Sequence, residues 1–178
     1  MSERRGLGHP LRQMHARLAQ VTAPIATAGC AVAGAITVGM LLIVLAQVAA
    51  RYLLNDALAW SEELSKLAMV WATFLVTPWA IRAQAHVHVS FFVDAFAPWQ
   101  RAVLAALCNA LLLVMLLILL RESITFVTEG FALRAASLPI SVGWAYLIVP
   151  VSLVLCALMT VEQLLALALT DVSRRSEA

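Results

Sequence analysis

Four long stretches without Asp, Glu, Lys or Arg constrain the fold of this sequence more than any other feature. They cover residues 18–50, 67–81, 102–120 and 135–161. A helix needs about 20 mostly apolar residues to cross the ~30 Å of hydrocarbon in a bilayer. Because the stretches are continuous, they favour spanning helices over barrel strands, in which apolar and polar residues alternate.

The second stretch is long enough to cross a membrane only if its helix begins near Trp60. Glu62, Glu63 and Lys66 then fall in the first turns of that helix, at the level of the lipid headgroups. With this helix included, the sequence predicts an all-α integral membrane protein with four transmembrane helices.

The composition excludes two broad classes of protein. Of the 178 residues, 63% are hydrophobic and 12% are charged, whereas soluble domains have about 45–50% apolar and about 25% charged residues. The chain therefore has too little polar surface to fold as a water-soluble globule. The net charge of +2 provides no broad basic surface for nucleic acid.

The expected organisation is a membrane domain between two tails. Eight of the 12 Lys and Arg residues lie in the tails and in the connection between the second and third spans, so the positive-inside rule predicts that both termini are cytoplasmic. Residues 87–97 either form a short interfacial helix in that connection or extend a span. The tails cover residues 1–20 and 171–178, the membrane domain covers residues 21–170, and its spans lie at about 25–51, 60–82, 100–121 and 139–164.

The centres of the expected spans hold few polar side chains and no ionisable one. Gln47 and Asn109 either hydrogen-bond between helices or line a solute path. A stripe of small residues at Ala31, Ala35 and Gly39 lets another helix approach closely. That second helix belongs either to the same bundle or to a different membrane subunit.

The cysteines and histidines give no indication of a cofactor. The three cysteines fall in separate apolar stretches, and the four histidines lie outside the span centres. Thiolate chemistry needs paired or exposed cysteines, and a membrane haem needs histidines on facing helices. We therefore predict no catalytic residue, no metal ligand and no bound cofactor, and we do not expect an enzyme.

The polar segment between the first two spans is the most informative part of the sequence. Arg51 ends the first span, Asn55 follows it, and Trp60, Glu62 and Glu63 begin the second span. Glu62 can pair with the lysine four positions later, and Arg51 can reach back to either acid. Two interpretations stay open: a salt-bridge cap that joins the helix ends, or a docking point for a partner subunit or a lipid headgroup. A catalytic carboxylate pair would also need a substrate pocket.

The order of short motifs along the chain resembles the small membrane subunit of tripartite ATP-independent periplasmic (TRAP) transporters. The resemblance covers roughly residues 35–160 and includes the four expected spans in the same order. The motifs are RYLLN at 51–55, WSEEL at 60–64, Arg82 followed by AHVHV at 85–89, and LPIS at 138–141.

The resemblance implies an accessory subunit of a sodium-driven uptake system for organic anions, mainly carboxylates, in the bacterial inner membrane. In such a system a periplasmic solute-binding protein captures the substrate, and a large permease subunit binds sodium and moves the substrate. The small subunit packs against the large one among membrane lipids and supports docking of the binding protein. The family's motif positions fall here on Arg51, Asn55, Trp60, Glu62, Glu63, Arg82 and His86.

The alternative function is a stand-alone four-helix transporter of small molecules or drugs. Such transporters resemble this chain in their number of spans, and they use a membrane-embedded glutamate in the first span. Residues 18–50 contain no acid, which counts against this alternative.

Overall fold

A computed structural model describes residues 3–54, 58–83, 98–137 and 139–177. In these ranges the chain is helical apart from short connections and one isolated β-bridge between Arg134 and Ser141. The elements are α1 (Glu3–Ala49), which continues into a π-helical segment (Ala50–Leu54), α2 (Ala59–Arg82), α3 (Pro98–Ala132), the short α4 (Gly143–Tyr146) and α5 (Ile148–Glu177).

Four helical stretches in the described ranges are long and apolar enough to cross a membrane. They are Gln13–Leu53, Trp60–Arg82, Gln100–Ala132 and Gly143–Leu169. The all-α fold class with four potential spans is therefore confirmed. The cytoplasmic location of both termini stays a prediction, and residues 87–97 lie outside the described residues.

The first helix is much longer than one membrane thickness. Its 47 residues measure about 70 Å at ~1.5 Å per residue, more than twice the ~30 Å of hydrocarbon. The residues expected to form an N-terminal tail are helical from Glu3 onward. Residues 11–20 are mostly Leu, Arg, Gln, Met and Ala, which are good helix formers, so a polar composition does not end the helix there.

Small side chains let α1 and α2 pack closely. Thr22, Ala26 and Ala33 are buried on one face of α1, and Gly29 lies between them. A Cβ atom at Gly29 would lie 2.9 Å from the carbonyl oxygen of Leu75, so a larger residue would push the two helices apart. The spacing of these four positions, alternately four and three residues, keeps one face of α1 against its neighbour.

The interior of the bundle is formed by all four long helices. Outside it, many large apolar side chains are exposed, such as Leu42 and Leu111, which suits a surface that faces lipid. The buried apolar cluster consists of Ala26, Ile81, Leu116, Leu153, Cys156 and Met159.

A serine on α5 donates the hydrogen bond that a proline inside α2 cannot. Pro78 has no N–H to donate, so the carbonyl of Phe74 one turn earlier loses its partner within the helix. The hydroxyl of Ser152 donates to that carbonyl oxygen at 2.6 Å. The proline thus leaves a helix carbonyl without its usual donor, and a hydroxyl of α5 donates to that carbonyl.

Candidate functional site

Three helices meet at a polar cluster formed by Thr22 of α1, Arg82 of α2 and Glu162 of α5, here called the Arg82 cluster. Arg82 Nη1 donates to Glu162 Oε2 at 3.0 Å and to Thr22 Oγ1 at 2.6 Å. The Thr22 hydroxyl donates to the same carboxylate oxygen at 2.6 Å. Because the Glu162 side chain is only 11% exposed, its charge depends on these partners for stabilisation.

The residue after Glu162 also binds the end of α2. Gln163 Nε2 donates to the carbonyl oxygen of Ile81 at 2.6 Å. Carbonyls in the last turn of a helix lack partners further along that helix, and a positive side chain there is favoured by the helix dipole. Arg82 supplies that charge. Two consecutive residues of α5, Glu162 and Gln163, therefore bind the last two residues of α2.

At the other end of α2, Glu63 binds the loop between α3 and α4. Glu63 Oε1 accepts a hydrogen bond from the backbone N–H of Ala136 at 2.9 Å, and Oε2 accepts one from that of Ser137 at 2.7 Å. The Ser137 hydroxyl also donates to Oε2. We call these three residues the Glu63 cluster. The carboxylate holds the loop through two successive N–H groups, the arrangement of a backbone anion site.

The loop that Glu63 binds also has a hydrogen bond within its own backbone. The N–H of Ala135 donates to the carbonyl oxygen of Ile140 at 3.0 Å. The Ser141 hydroxyl lies 3.1 Å from the carbonyl oxygen of Gly130 and so contacts the last turn of α3. Glu63 belongs to the WSEEL motif and Ser141 to the LPIS motif, so the structure brings these two motifs together.

The other residues of the first polar segment lie apart from both clusters. Glu62 pairs with Lys66 at 2.8 Å, as its spacing predicts, and both side chains are well exposed. Within the described residues Glu62 forms this ion pair and not the expected one with Arg51. Lys66 lies one turn away on the same helix face, whereas Arg51 is exposed on the π-helical segment. Trp60 is half exposed at the start of α2.

The stripe of Ala31, Ala35 and Gly39 lies on the side of α1 away from its packed face. Ala31 and Ala35 are exposed, and a Cβ at Gly39 would meet nothing within 4 Å. Ala31 is two residues from the buried Ala33, which on a helix is about 200° of rotation. The packed face uses other small residues, and contact between the stripe and a different subunit stays a prediction.

Two members of the Arg82 cluster, Thr22 and Glu162, were not predicted as site residues. A signal for Glu162 existed in the sequence: Arg82 directly follows the second charge-free stretch and Glu162 the fourth. Since the second and fourth spans run in the same direction, these opposite charges end at the same face of the bundle. Thr22 gave no such signal. Two predicted residues, Asn55 and His86, lie outside the described residues.

Asn109, expected to bond between helices or to line a path, bonds to its own helix. Its Nδ2 donates to the carbonyl oxygen of Ala105 at 2.8 Å. Gln47 is half buried on α1. Links between helices include those of the Arg82 cluster, Gln163 and Ser152, whereas the described bond of Asn109 stays within α3.

Comparisons with known proteins agree with the motif order. The sialic acid TRAP transporter small permease protein SiaQ of Vibrio cholerae is 40% identical over 48 residues, which are 27% of this chain and 28% of that protein. The aligned segment thus spans little more than a quarter of the relative. A family model described as the DctQ component of tripartite ATP-independent periplasmic transporters matches residues 40–170. Because that match covers well over half of the chain, the chain belongs to the DctQ component family of TRAP transporters, which are transport subunits and not enzymes.

Proposed function

We propose that this chain is the accessory small subunit of a TRAP uptake system in the bacterial inner membrane, where it packs against a large permease subunit. Family membership supports this role. The observation that carries the proposal is that the buried carboxylate in the bundle is bound by side chains of the same chain. Glu162 is bound by Arg82 and Thr22, so it is not open to a solute. Transport sites are built near the bilayer centre, whereas Glu162 lies at the carboxyl end of α2 beside Arg82, and we assign the transport path to the other subunit.

Sodium coupling and substrate binding belong, in this proposal, to the large subunit. The substrates are organic anions, mainly carboxylates, and this chain binds no cofactor itself. Its exposed apolar side chains, such as Leu42 and Leu111, contact either membrane lipids or the large subunit.

Docking of the periplasmic solute-binding protein is the second part of the proposal. The Glu63 cluster attaches the loop of residues 133–142 to α2. Tyr52, Leu53 and Trp144 are exposed at the same end of the bundle, at 81%, 81% and 61%. If both termini are cytoplasmic, this end faces the periplasm. A fixed loop at the same end of the bundle as exposed Tyr and Trp side chains suits a contact surface for the binding protein.

The test is co-purification together with uptake. A tagged chain co-expressed with the large permease subunit of the same organism should recover that subunit in mild detergent. Cells that lack the chain should lose sodium-dependent uptake of a labelled carboxylate and regain it on complementation. A stable homo-oligomer together with intact uptake in the deletion strain would contradict the proposal. So would sodium-coupled accumulation in liposomes that contain this chain alone.

A stand-alone drug transporter is not favoured. Such a protein uses a membrane-embedded acid in its first span to exchange protons with a drug, and residues 18–50 contain no acid. Drug-dependent proton flux from the purified chain would reverse this preference.

A further inference from the structure

The first helix extends well past the end of α2, on the side of the bundle that holds the Arg82 cluster. The Thr22 hydroxyl of α1 accepts a hydrogen bond from Arg82, the last residue of α2, so α2 ends level with Thr22. The preceding residues of α1, from Glu3 onward, measure about 28 Å along the helix axis. We call residues 3–21 the α1 extension.

The α1 extension carries the excess positive charge of the chain. Without it, the chain would have more acidic than basic residues. The adjacent end of α5 differs, since the two arginines among residues 163–177 are balanced by Asp171 and Glu177. In the α1 extension a single acid, Glu3, stands against four basic residues, which are Arg4, Arg5, Arg12 and Arg17.

The level of these arginines in the bilayer follows from α5, which lies beside α1. Thr22 bonds to Glu162, and the first and fourth spans run in opposite directions, so the α1 extension lies beside the residues after Glu162. The next charged residue of α5 is Asp171, about 13 Å further along the helix. Arg17 lies about 7.5 Å and Arg12 about 15 Å past Thr22. The two arginines therefore lie close to the level at which the apolar part of α5 ends, where lipid headgroups begin.

Arg17 faces away from the rest of the bundle. It is exposed, and among the described residues it forms no ion pair. Arg17 is five residues from Thr22, so it lies about 140° around α1 from the residue that contacts α2 and α5. An arginine at this level can keep its apolar stem against lipid chains and reach the headgroups with its guanidinium group.

We propose that the α1 extension binds the phosphate groups of anionic phospholipids through its arginines. Guanidinium groups bind phosphate oxygens with paired hydrogen bonds, and basic residues next to a spanning helix each raise the affinity for an acidic lipid surface about fivefold. The positions of Arg5 and Arg12 share one side of the helix, whereas Arg17 lies about 140° from Arg12. A partner subunit would contact one side, but the headgroup layer surrounds the helix, so the arrangement favours lipid. This contact is separate from the proposed function.

The experiment measures lipid binding by the purified full-length chain in detergent. The chain is titrated with dioleoylphosphatidylglycerol, and the zwitterionic dioleoylphosphatidylcholine, which has the same acyl chains, is the reference. The wild type should bind the anionic lipid on the order of tenfold more tightly or better. This preference should decrease at about 1 M salt, where the Debye length is about 3 Å.

Substitutions assign the preference to the α1 extension. Replacing all four of its arginines with Gln should remove most of the preference, and Arg17→Gln alone should lower it by about fivefold. The matched control is Arg134→Gln, which removes an exposed arginine at the other end of the bundle and should leave the preference unchanged. Thermal unfolding of each variant in detergent checks that the helices remain folded.

Four outcomes would overturn the inference. The first is equal binding of the two lipids by the wild type, and the second is an unchanged preference in the fourfold variant. The third is an equal loss in Arg134→Gln, which would mean that net charge alone sets the preference. The fourth is loss of the co-purified large permease subunit from the fourfold variant with lipid binding retained, which would make a protein the partner of the α1 extension.

Discussion

Each end of α2 is attached to another part of the chain by a glutamate, and the two attachments differ in what the carboxylate binds. In the Arg82 cluster, Glu162 binds side chains of two other helices and is 11% exposed. In the Glu63 cluster, the carboxylate binds the backbone of a loop at an exposed surface. The first attachment fixes helices relative to one another, whereas the second fixes a loop relative to one helix.

Burial sets the cost of breaking each attachment. When one partner of a buried ion pair is removed, the other charge is left without compensation. At an exposed site water replaces the lost partner, and the net change is small. The comparison therefore predicts a global effect at the Arg82 cluster and a local effect at the Glu63 cluster.

The largest expected effect comes from Glu162→Ala. It leaves the Arg82 guanidinium, which is 30% exposed at the end of α2, without its ion-pair partner. The free energy of unfolding should fall by about 3 kcal/mol, measured by thermal or denaturant unfolding in detergent. The double variant Arg82→Leu with Glu162→Leu should recover most of that loss, because it removes both charges. A double variant that loses as much stability as the two single substitutions added together would break the comparison, since the pair would then not act as a unit.

Close packing, rather than charge, should dominate stability at the Glu63 end. A Cβ at Gly143 would lie 2.6 Å from Phe131 Cγ and 2.7 Å from its backbone nitrogen, so Gly143→Ala forces α3 and α4 apart. We expect a loss of about 2 kcal/mol in the free energy of unfolding. Gly39→Ala is the control, because its added methyl meets nothing within 4 Å and alanine favours a helix. Equal losses in both variants would mean that close packing is not the cause.

A smaller effect tests the contact between Ser152 and the carbonyl of Phe74 in the middle of the bundle. Ser152→Ala leaves this buried oxygen without its donor and should cost about 1 kcal/mol of unfolding free energy. In a Pro78→Ala background the helix can supply its own N–H to Phe74, so the serine substitution should cost less. Equal costs in the two backgrounds, measured as a double-mutant cycle, would show that the proline and the serine are independent.

The fold class could be predicted from the sequence because each span is a long continuous stretch of apolar residues. Length and continuous hydrophobicity located all four potential spans, and the requirement for a helix start near Trp60 agrees with α2, which begins at Ala59. The length of α1 was not anticipated, since a polar segment of good helix formers gives no apolar signal. Helix propensity and hydrophobicity are different properties, and only hydrophobicity marks a membrane span.

The sites were harder to predict because they depend on contacts between distant segments. Arg82 and Glu63 were selected through motifs, but their partners lie 80 and about 74 residues away in the chain. Thr22 is an ordinary helical threonine until α2 and α5 pack beside it. The pair of Glu62 with Lys66 follows from spacing along one helix and is confirmed. A link from Arg51 to Glu62 or Glu63 would need contact between two segments, and in the described residues Glu62 pairs with the lysine instead.

The smallest global effect is expected at Glu63. Glu63→Gln keeps the size of the side chain but removes the charge that accepts bonds from Ala136 and Ser137, so those N–H groups are held more weakly. Amide hydrogen exchange in the loop should become several-fold faster, while the unfolding temperature in detergent changes little, because the loop opens locally without the helices separating. Glu62→Gln has the same chemistry one residue away and should leave the loop's exchange unchanged, since Glu62 bonds only to Lys66 among the described residues. If Glu63→Gln lowers the unfolding temperature as much as Glu162→Ala does, the two attachments are equivalent and burial is not what distinguishes them.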